Sequence, residues 1–241
     1  MTGNGLKNKQ KGKEIVTIDG PAGAGKSTVS KMLARRLQYS YLDTGAMYRA
    51  VALCIRHKGV DPEDEAALGR LLQKITISFQ GDSQNQRVML HGQDVTEKIR
   101  EPEVGWMASR VSMKRPVREA MVNLQRKIGA KGKIVAEGRD TGTVVFPDAP
   151  YKFFLIARPE ERARRRYMEL AVKGVCLKRE DVEKEMTRRD EQDSSRELAP
   201  LQPAPDARFI DSTELTPEEV VKNILKVMKK EEQKQEKNLG R

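Results

Sequence analysis

The segment Gly20-Pro21-Ala22-Gly23-Ala24-Gly25-Lys26-Ser27-Thr28 fits the pattern G-x-x-x-x-G-K-[ST] residue for residue. Its glycines let backbone N–H groups turn inward around phosphate oxygens, a conformation that a Cβ would obstruct. A helix starting at the end of such a loop adds its partial positive charge to the same spot. Lys26 is then within reach of the β- and γ-phosphates of a nucleoside triphosphate, and the Ser27 hydroxyl is a candidate Mg2+ ligand. These nine residues therefore offer triphosphate binding. They are silent on what receives the phosphate.

Such a loop needs a strand ahead of it and a helix behind it. The β-branched run Ile15-Val16-Thr17-Ile18-Asp19 supplies the strand, and Val29, Met32, Leu33 and Leu37 share one helical face. A second helix is expected from Asp43 or Thr44, with Met47, Val51, Cys54 and Ile55 in a stripe and Gly59 as its cap. From residue 75 the period changes to two. Residues 75–79 alternate, a polar turn follows, and Val88-Met89-Leu90 answers them, as in a hairpin. Helical pattern returns over 103–128. Strands at 134–136 and 152–156, an arginine-rich helical stretch at 158–197, a strand at 208–211 and a helix at 216–228 complete the chain. Strands alternating with helices imply a parallel sheet covered on both faces.

Composition narrows the partners. The 241 residues carry 46 Lys+Arg against 35 Asp+Glu, a net charge of +11. Residues 1–14 hold four Lys and one Glu, and 229–241 hold five basic and three acidic residues, so the ends account for five of those charges. Both ends lack apolar periodicity and read as frayed, charged tails; no aromatics interleave the lysines, which argues against a nucleic-acid-binding arm. No apolar run approaches the ~18 to 20 residues that cross a bilayer, so no membrane partner is expected. The basic N-terminus has no apolar stretch of the kind that makes a secretion signal. Cys54 and Cys176 have neither disulfide-framework nor metal-ligand spacing, consistent with a reducing cytoplasm.

Further blocks resemble bacterial cytidylate kinases of the nucleoside monophosphate kinase family. They are Asp43-Thr44-Gly45-Ala46-Met47-Tyr48-Arg49, Glu137-Gly138-Arg139-Asp140-Thr141-Gly142, Arg189-Asp190-x-x-Asp193-x-x-Arg196-x-x-Ala199-Pro200-Leu201 and Asp211-Ser212-Thr213. The resemblance runs from about residue 15 to 228. It implies a three-layer α/β phosphate-loop kinase fold and transfer of the γ-phosphoryl of ATP to CMP or dCMP, with Mg2+, by a cytoplasmic monomer. The implied body is a core (15–66, 101–157, 198–228), a small antiparallel β-rich monophosphate-binding insertion (67–100) and a helical, arginine-rich lid (158–197).

The resemblance assigns the base to Ser109, Arg118 and Asp140. Cytosine presents an amine donor beside N3 and O2 acceptors, so a carboxylate and an Arg-like donor suit it. Ser109 and Arg118 are two and a half turns apart, on opposite sides of a straight helix, so a joint role requires a bend near Pro116. The acceptor phosphate is implied to face Arg49, Arg139 and Arg196 with Thr44 close by, and the ribose Arg189 and Asp193, which otherwise read as a surface i,i+4 pair. Of the five arginines 158, 162, 164, 165 and 166, Arg162 and Arg166 face one way and are the favoured catalytic lid residues, with Arg165 as an alternative that sequence does not separate from them, alongside Lys26 and Arg139. Glu137 stands where this family often has an aspartate. His57 and His91 read as structural; Trp106, Phe153 and Phe154 read as core. The alternatives are a related small-substrate kinase using UMP or shikimate, or a phosphate-loop ATPase that binds nucleic acid through its tails. Asp140 argues against uracil, whose O4 would repel a carboxylate.

Overall fold

The computed structural model describes residues 14–172, 174–175 and 177–239. In chain order its elements are β1 (Ile15–Asp19), α1 (Lys26–Leu37), β2 (Ser40–Asp43), α2 (Thr44–Lys58), α3 (Glu65–Lys74), β3 (Ile77–Gln80), β4 (Arg87–Leu90), β5 (Gln93–Asp94), α4 (Pro102–Val111), α5 (Arg115–Gly129), β6 (Ile134–Gly138), β7 (Tyr151–Ile156), α6 (Pro159–Val172), α7 (Arg179–Ser195), β8 (Arg208–Asp211) and α8 (Pro217–Leu239). Short 3-10 and π turns lie at Lys98–Arg100 and Thr141–Val145.

Five parallel strands form the main sheet in the order β2-β6-β1-β7-β8, and β3-β4-β5 form a separate antiparallel sheet. All five residues of β1 are buried, which is why the run is apolar on both faces. Val16 and Ile18 pack with Val29 and Leu33 of α1, Phe153 and Leu155 of β7, and Ile224 of α8. Ile15 and Ala136 look the other way, into a cluster with Met47, Leu53, Met121 and the apolar residues of the small sheet. The predicted α/β layering is thus observed.

Local signals place the helix ends. Asp43 caps α2 by accepting from the Ala46 amide at 2.8 Å, and Gly59 ends the helix at φ 61°; such a cap contributes about 1 kcal/mol. Thr216 and Glu219 form a reciprocal capping box at the start of α8. That helix continues to Leu239, so the charged residues 229–239 extend it rather than fray. Residues 1–13 and 240–241, and Cys176, lie outside the described residues.

Other expectations are corrected or refined. The sequence reading has no β2 and no α3. β2 offers only two buried side chains, Tyr41 and Leu42, between two helices, whereas α3 carries the usual marks, an Asp64 cap with Leu68 and Leu72 buried. The stretch 103–128 is two helices, broken at 112–114, with Pro116 in the first turn of α5. The arginine-rich stretch is also two helices; Ala163 and Leu170 of α6 pack on Val182 and Met186 of α7, with Ala22 of the phosphate loop against them. Trp106 is not core: it is 55% exposed, because α4 buries the Val104–Ala108–Val111 stripe and turns Trp106 outward. Phe153 and Phe154 are buried as expected. His57 lies in the exposed last turn of α2, and His91 is exposed beside the small sheet with its Nε2 3.8 Å from the Cys54 sulfur. Burial pushes the Cys54 thiol up, so it is inert. Among the described residues no helix is long and apolar enough to cross a membrane.

Candidate active site

The chemistry-bearing residues collect at the carboxyl ends of the parallel strands, where open α/β sheets bind ligands. The phosphate loop leaves β1 at Gly20, whose φ of 147° and approach to the Leu155 carbonyl admit no Cβ. Gly25 caps α1 at φ 88°, so the unpaired N–H groups of the first turn face the loop. Lys26 is buried and donates to the Pro21 carbonyl at 2.6 Å. Burial, then the neighbouring Arg139, pull its ammonium down to about 7, although Glu137 opposes this.

Beside the loop, Asp43 at the end of β2 and Glu137 in β6 are partners in register. Burial and then Asp43 push the Glu137 carboxyl up. Tyr41 donates a hydrogen bond to Glu137 Oε1, and the Ser27 hydroxyl lies close enough to favour the Glu137 charge. One hydroxyl and two crowded carboxylates are hard oxygen donors with surplus negative charge, a set that fits Mg2+.

A second group follows β6. Arg118 pairs with Asp140, donates to the Ser112 carbonyl at 3.4 Å and lies 5.9 Å from the centre of the Tyr48 ring. Burial and then Asp140 raise the Tyr48 phenol to about 12. The break between α4 and α5 therefore supplies the required bend: Arg118 returns to the turn beside Ser109, whose carbonyl accepts from the Ser112 hydroxyl at 2.7 Å and from Gln192 at 3.4 Å. Arg196 lies 3.9 Å from Asp140 and 3.7 Å from Asp193, and donates to the Ala199 carbonyl at 2.5 Å.

Arg189 and Asp193 do not pair as an i,i+4 couple. Asp193 accepts instead from Arg139 Nε at 2.7 Å. Burial works against its charge, but Arg139 outweighs this and holds the carboxyl low. Thr44 donates its hydroxyl to the Glu137 carbonyl at 2.7 Å, tying α2 to β6. Arg49 makes no ion pair among the described residues and stands close enough to Arg189 to repel it. Burial first, then Arg139 and Arg49, bring Arg189 down to about 10. Arg189 Nε and Arg196 Nη2 are buried with no hydrogen-bond partner among the described residues. Lys26, Arg139, Arg189 and Arg49 repel one another at the strand ends, and Arg196 joins them through Asp193, which it shares with Arg139. Crowded cations with orphaned donors suit an anion.

The helical hairpin closes one side. Arg162 donates to the Ala22 carbonyl at 3.1 Å and pairs with Asp190, whose other oxygen accepts from the Ala22 amide at 3.3 Å. Arg165 binds Glu161 and the Ser212 carbonyl, and Arg166 pairs with Glu169 at 2.8 Å while adding to the repulsion on Arg189. Arg158 and Arg164 serve exposed pairs with Glu214 and Glu161. The i,i+4 spacing of Arg162 and Arg166 therefore leads to different partners. Sequence reasoning missed Tyr41, Tyr48, Asp19 and Asp190; Tyr48 and Asp190 carried a signal, as the neighbours of Arg49 and Arg189 in blocks that resemble the family.

The parallel sheet and the loop 20–28 between β1 and α1 together define a phosphate-loop α/β protein. The family model described as cytidylate kinase matches residues 16–230, and the chain belongs to that family. A cytidylate kinase of Citrifermentans bemidjiense is 52% identical over 207 residues, covering 86% of this chain and 89% of the relative. One from a Geobacter species is 51% identical over 215 residues, covering 89% and 92%. Another, from Carboxydothermus hydrogenoformans, is 49% identical over 213 residues, covering 88% and 96%.

Proposed function

We propose that this chain transfers the γ-phosphoryl of ATP to CMP or dCMP, giving ADP and CDP or dCDP. The observation that carries the reading is the crowding of Lys26, Arg139, Arg189 and Arg49 at the strand ends, with Arg196 joined through Asp193 and two guanidinium nitrogens left without a hydrogen-bond partner among the described residues. ATP phosphates occupy the loop 20–28 under Lys26. The CMP phosphate faces Arg49, Arg139 and Arg196, near Thr44, and the ribose faces Arg189 and Asp193. Ser109, Arg118 and Asp140 read the base, Asp140 accepting from the cytosine amine. The attacking oxygen is already anionic, so no strong general base is needed; alignment and charge neutralisation do the catalysis.

Ser27 would hold Mg2+, with Glu137 and Asp43 placed to accept from its water shell. Bound there, the ion supplies neutralisation of the charge shared by the donor phosphates. Arg162 fixes the lid hairpin to the loop through Ala22, while Arg166, beside Arg189, reaches toward the transferred group. The chain acts as a cytoplasmic monomer on nucleotides; neither nucleic acid nor membrane enters the reading.

Asp140 gives the direct test. Asp140→Asn replaces one acceptor oxygen with a donor that suits uracil O4. The ratio of kcat/KM for CMP to that for UMP should fall about 10- to 100-fold. An unchanged ratio removes Asp140 from the base pocket.

A further inference from the structure

Asp19 is absent from the roles assigned above, yet it stands where the two halves of the site meet. It ends β1, immediately ahead of Gly20, and is the register partner of Gly138. Asp19 is 4% exposed. Oδ1 accepts from the Thr141 amide at 2.9 Å and the Thr141 hydroxyl at 2.7 Å, and Oδ2 accepts from the Gly142 amide at 2.7 Å. Both oxygens are therefore spent on two successive residues more than 120 positions away in the chain.

Those residues directly follow Arg139 and Asp140. The backbone past them closes a π turn, with the Phe146 amide on the Thr141 carbonyl at 2.8 Å and the Val145 amide on the Asp140 carbonyl at 3.3 Å. Close approach of the Gly142 amide needs glycine, because a Cβ there would stand 2.9 Å from Thr17 Oγ1 and 3.4 Å from Asp19 Oδ2. One carboxylate thus sets where the loop bearing Arg139 and Asp140 lies relative to the donor-phosphate loop.

We infer that Asp19 is a positioning residue for acceptor selection: through Thr141 and Gly142 it holds Asp140 at the base and Arg139 at the acceptor phosphate. The inference rests on the proposed CMP kinase reading. An asparagine of the same shape cannot replace Asp19, because either orientation of its amide sets an NH2 group against one of the N–H donors. The donor left unpaired lets the 140–142 loop shift. Asp19 also lends a little charge to Lys26, but an effect through Lys26 slows every acceptor alike and leaves acceptor preference untouched.

The experiment measures kcat/KM for CMP and UMP in the full chain and in three variants, with folding checked by thermal melting. The CMP-to-UMP ratio should fall about tenfold in Asp19→Asn and about threefold in Thr141→Val, which loses only the hydroxyl bond. Thr141→Ser, which keeps that bond, should stay within about twofold of the parent. A ratio unchanged in Asp19→Asn overturns the inference. If Asp19→Asn does not fold, an unchanged ratio in Thr141→Val overturns it equally, as does a Thr141→Ser ratio that falls as far as that of the valine variant. Failure of the parent itself to phosphorylate CMP would instead refute the underlying reading, so the two failures are told apart.

Discussion

Lys26→Ala should lower kcat by at least about 10³-fold while leaving CMP affinity within about threefold of the parent, because the proposed function gives Lys26 the donor phosphates and places the acceptor contacts elsewhere. Its Nζ is buried on the Pro21 carbonyl and repelled by Arg139, which holds it near 7. Arriving phosphate oxygens reverse that penalty, so the charge is stabilised where negative charge builds up during transfer. Removal of one such preorganised contact costs about 10²- to 10³-fold in kcat, and the loss of the loop lysine is expected at or beyond the upper end. Steady-state rates and calorimetric CMP titration check it; loss of CMP affinity alone would contradict the placement. The same substitution has a pH signature in the ligand-free protein. A lysine whose folded value lies below its ordinary 10.5 costs the fold most below about 7, and the cost fades as pH rises toward 10.5. Alanine should therefore raise the melting temperature most at pH 6, and by less at pH 9.

Arg189→Met makes the ligand-free protein more stable and the enzyme far worse. Burial first, then crowding by Arg139 and Arg49, brings the Arg189 guanidinium down to about 10, and its Nε has no hydrogen-bond partner among the described residues. A buried, unsatisfied donor costs about 1–3 kcal/mol, and methionine keeps much of the aliphatic volume without it. A gain of about 1 kcal/mol would raise the melting temperature by ~2–4 °C in a chain of this size. Arg189 nevertheless completes the cation set around the acceptor, and kcat/KM for CMP should fall by about 10³-fold. Differential scanning calorimetry with kinetics on the same sample decides: a lower melting temperature would mean that Arg189 stabilises the resting fold rather than storing strain for the ligand.

These expectations draw on parts of the molecule that were unequally legible in the sequence. The loop 20–28 and its flanking strand and helix could be read directly, since glycine spacing, the β-branched run and the apolar stripe all report local conformation. The break between Ser109 and Arg118 was legible only through the family resemblance, whose joint role for the two demanded a bend, since the apolar pattern itself reads as one helix over 103–128. Pairing was not legible. The i,i+4 relation of Arg189 and Asp193 suggested a local couple, but Asp193 reaches across to Arg139, 54 positions away, and no periodicity encodes such a contact. Trp106 failed as a core residue because a lone aromatic on a short helix does not reveal which side α2 covers. Asp19 looked like a strand end, and its three hydrogen bonds became visible only once β1 and β6 lay side by side.

The cation excess also takes on a different meaning. Lys26, Arg139, Arg189 and Arg49 at the strand ends are crowded against one another, and under the proposed function they face two phosphorylated ligands. That is the central claim, and substrate choice tests it most directly. ADP release should be followed with CMP, dCMP, UMP and AMP as acceptors, at matched concentrations and with saturating ATP and Mg2+. The account predicts rapid turnover of CMP and dCMP, with UMP at least about tenfold less efficient, since its O4 faces the Asp140 carboxylate in place of an amine. Turnover of UMP equal to or faster than that of CMP would contradict it.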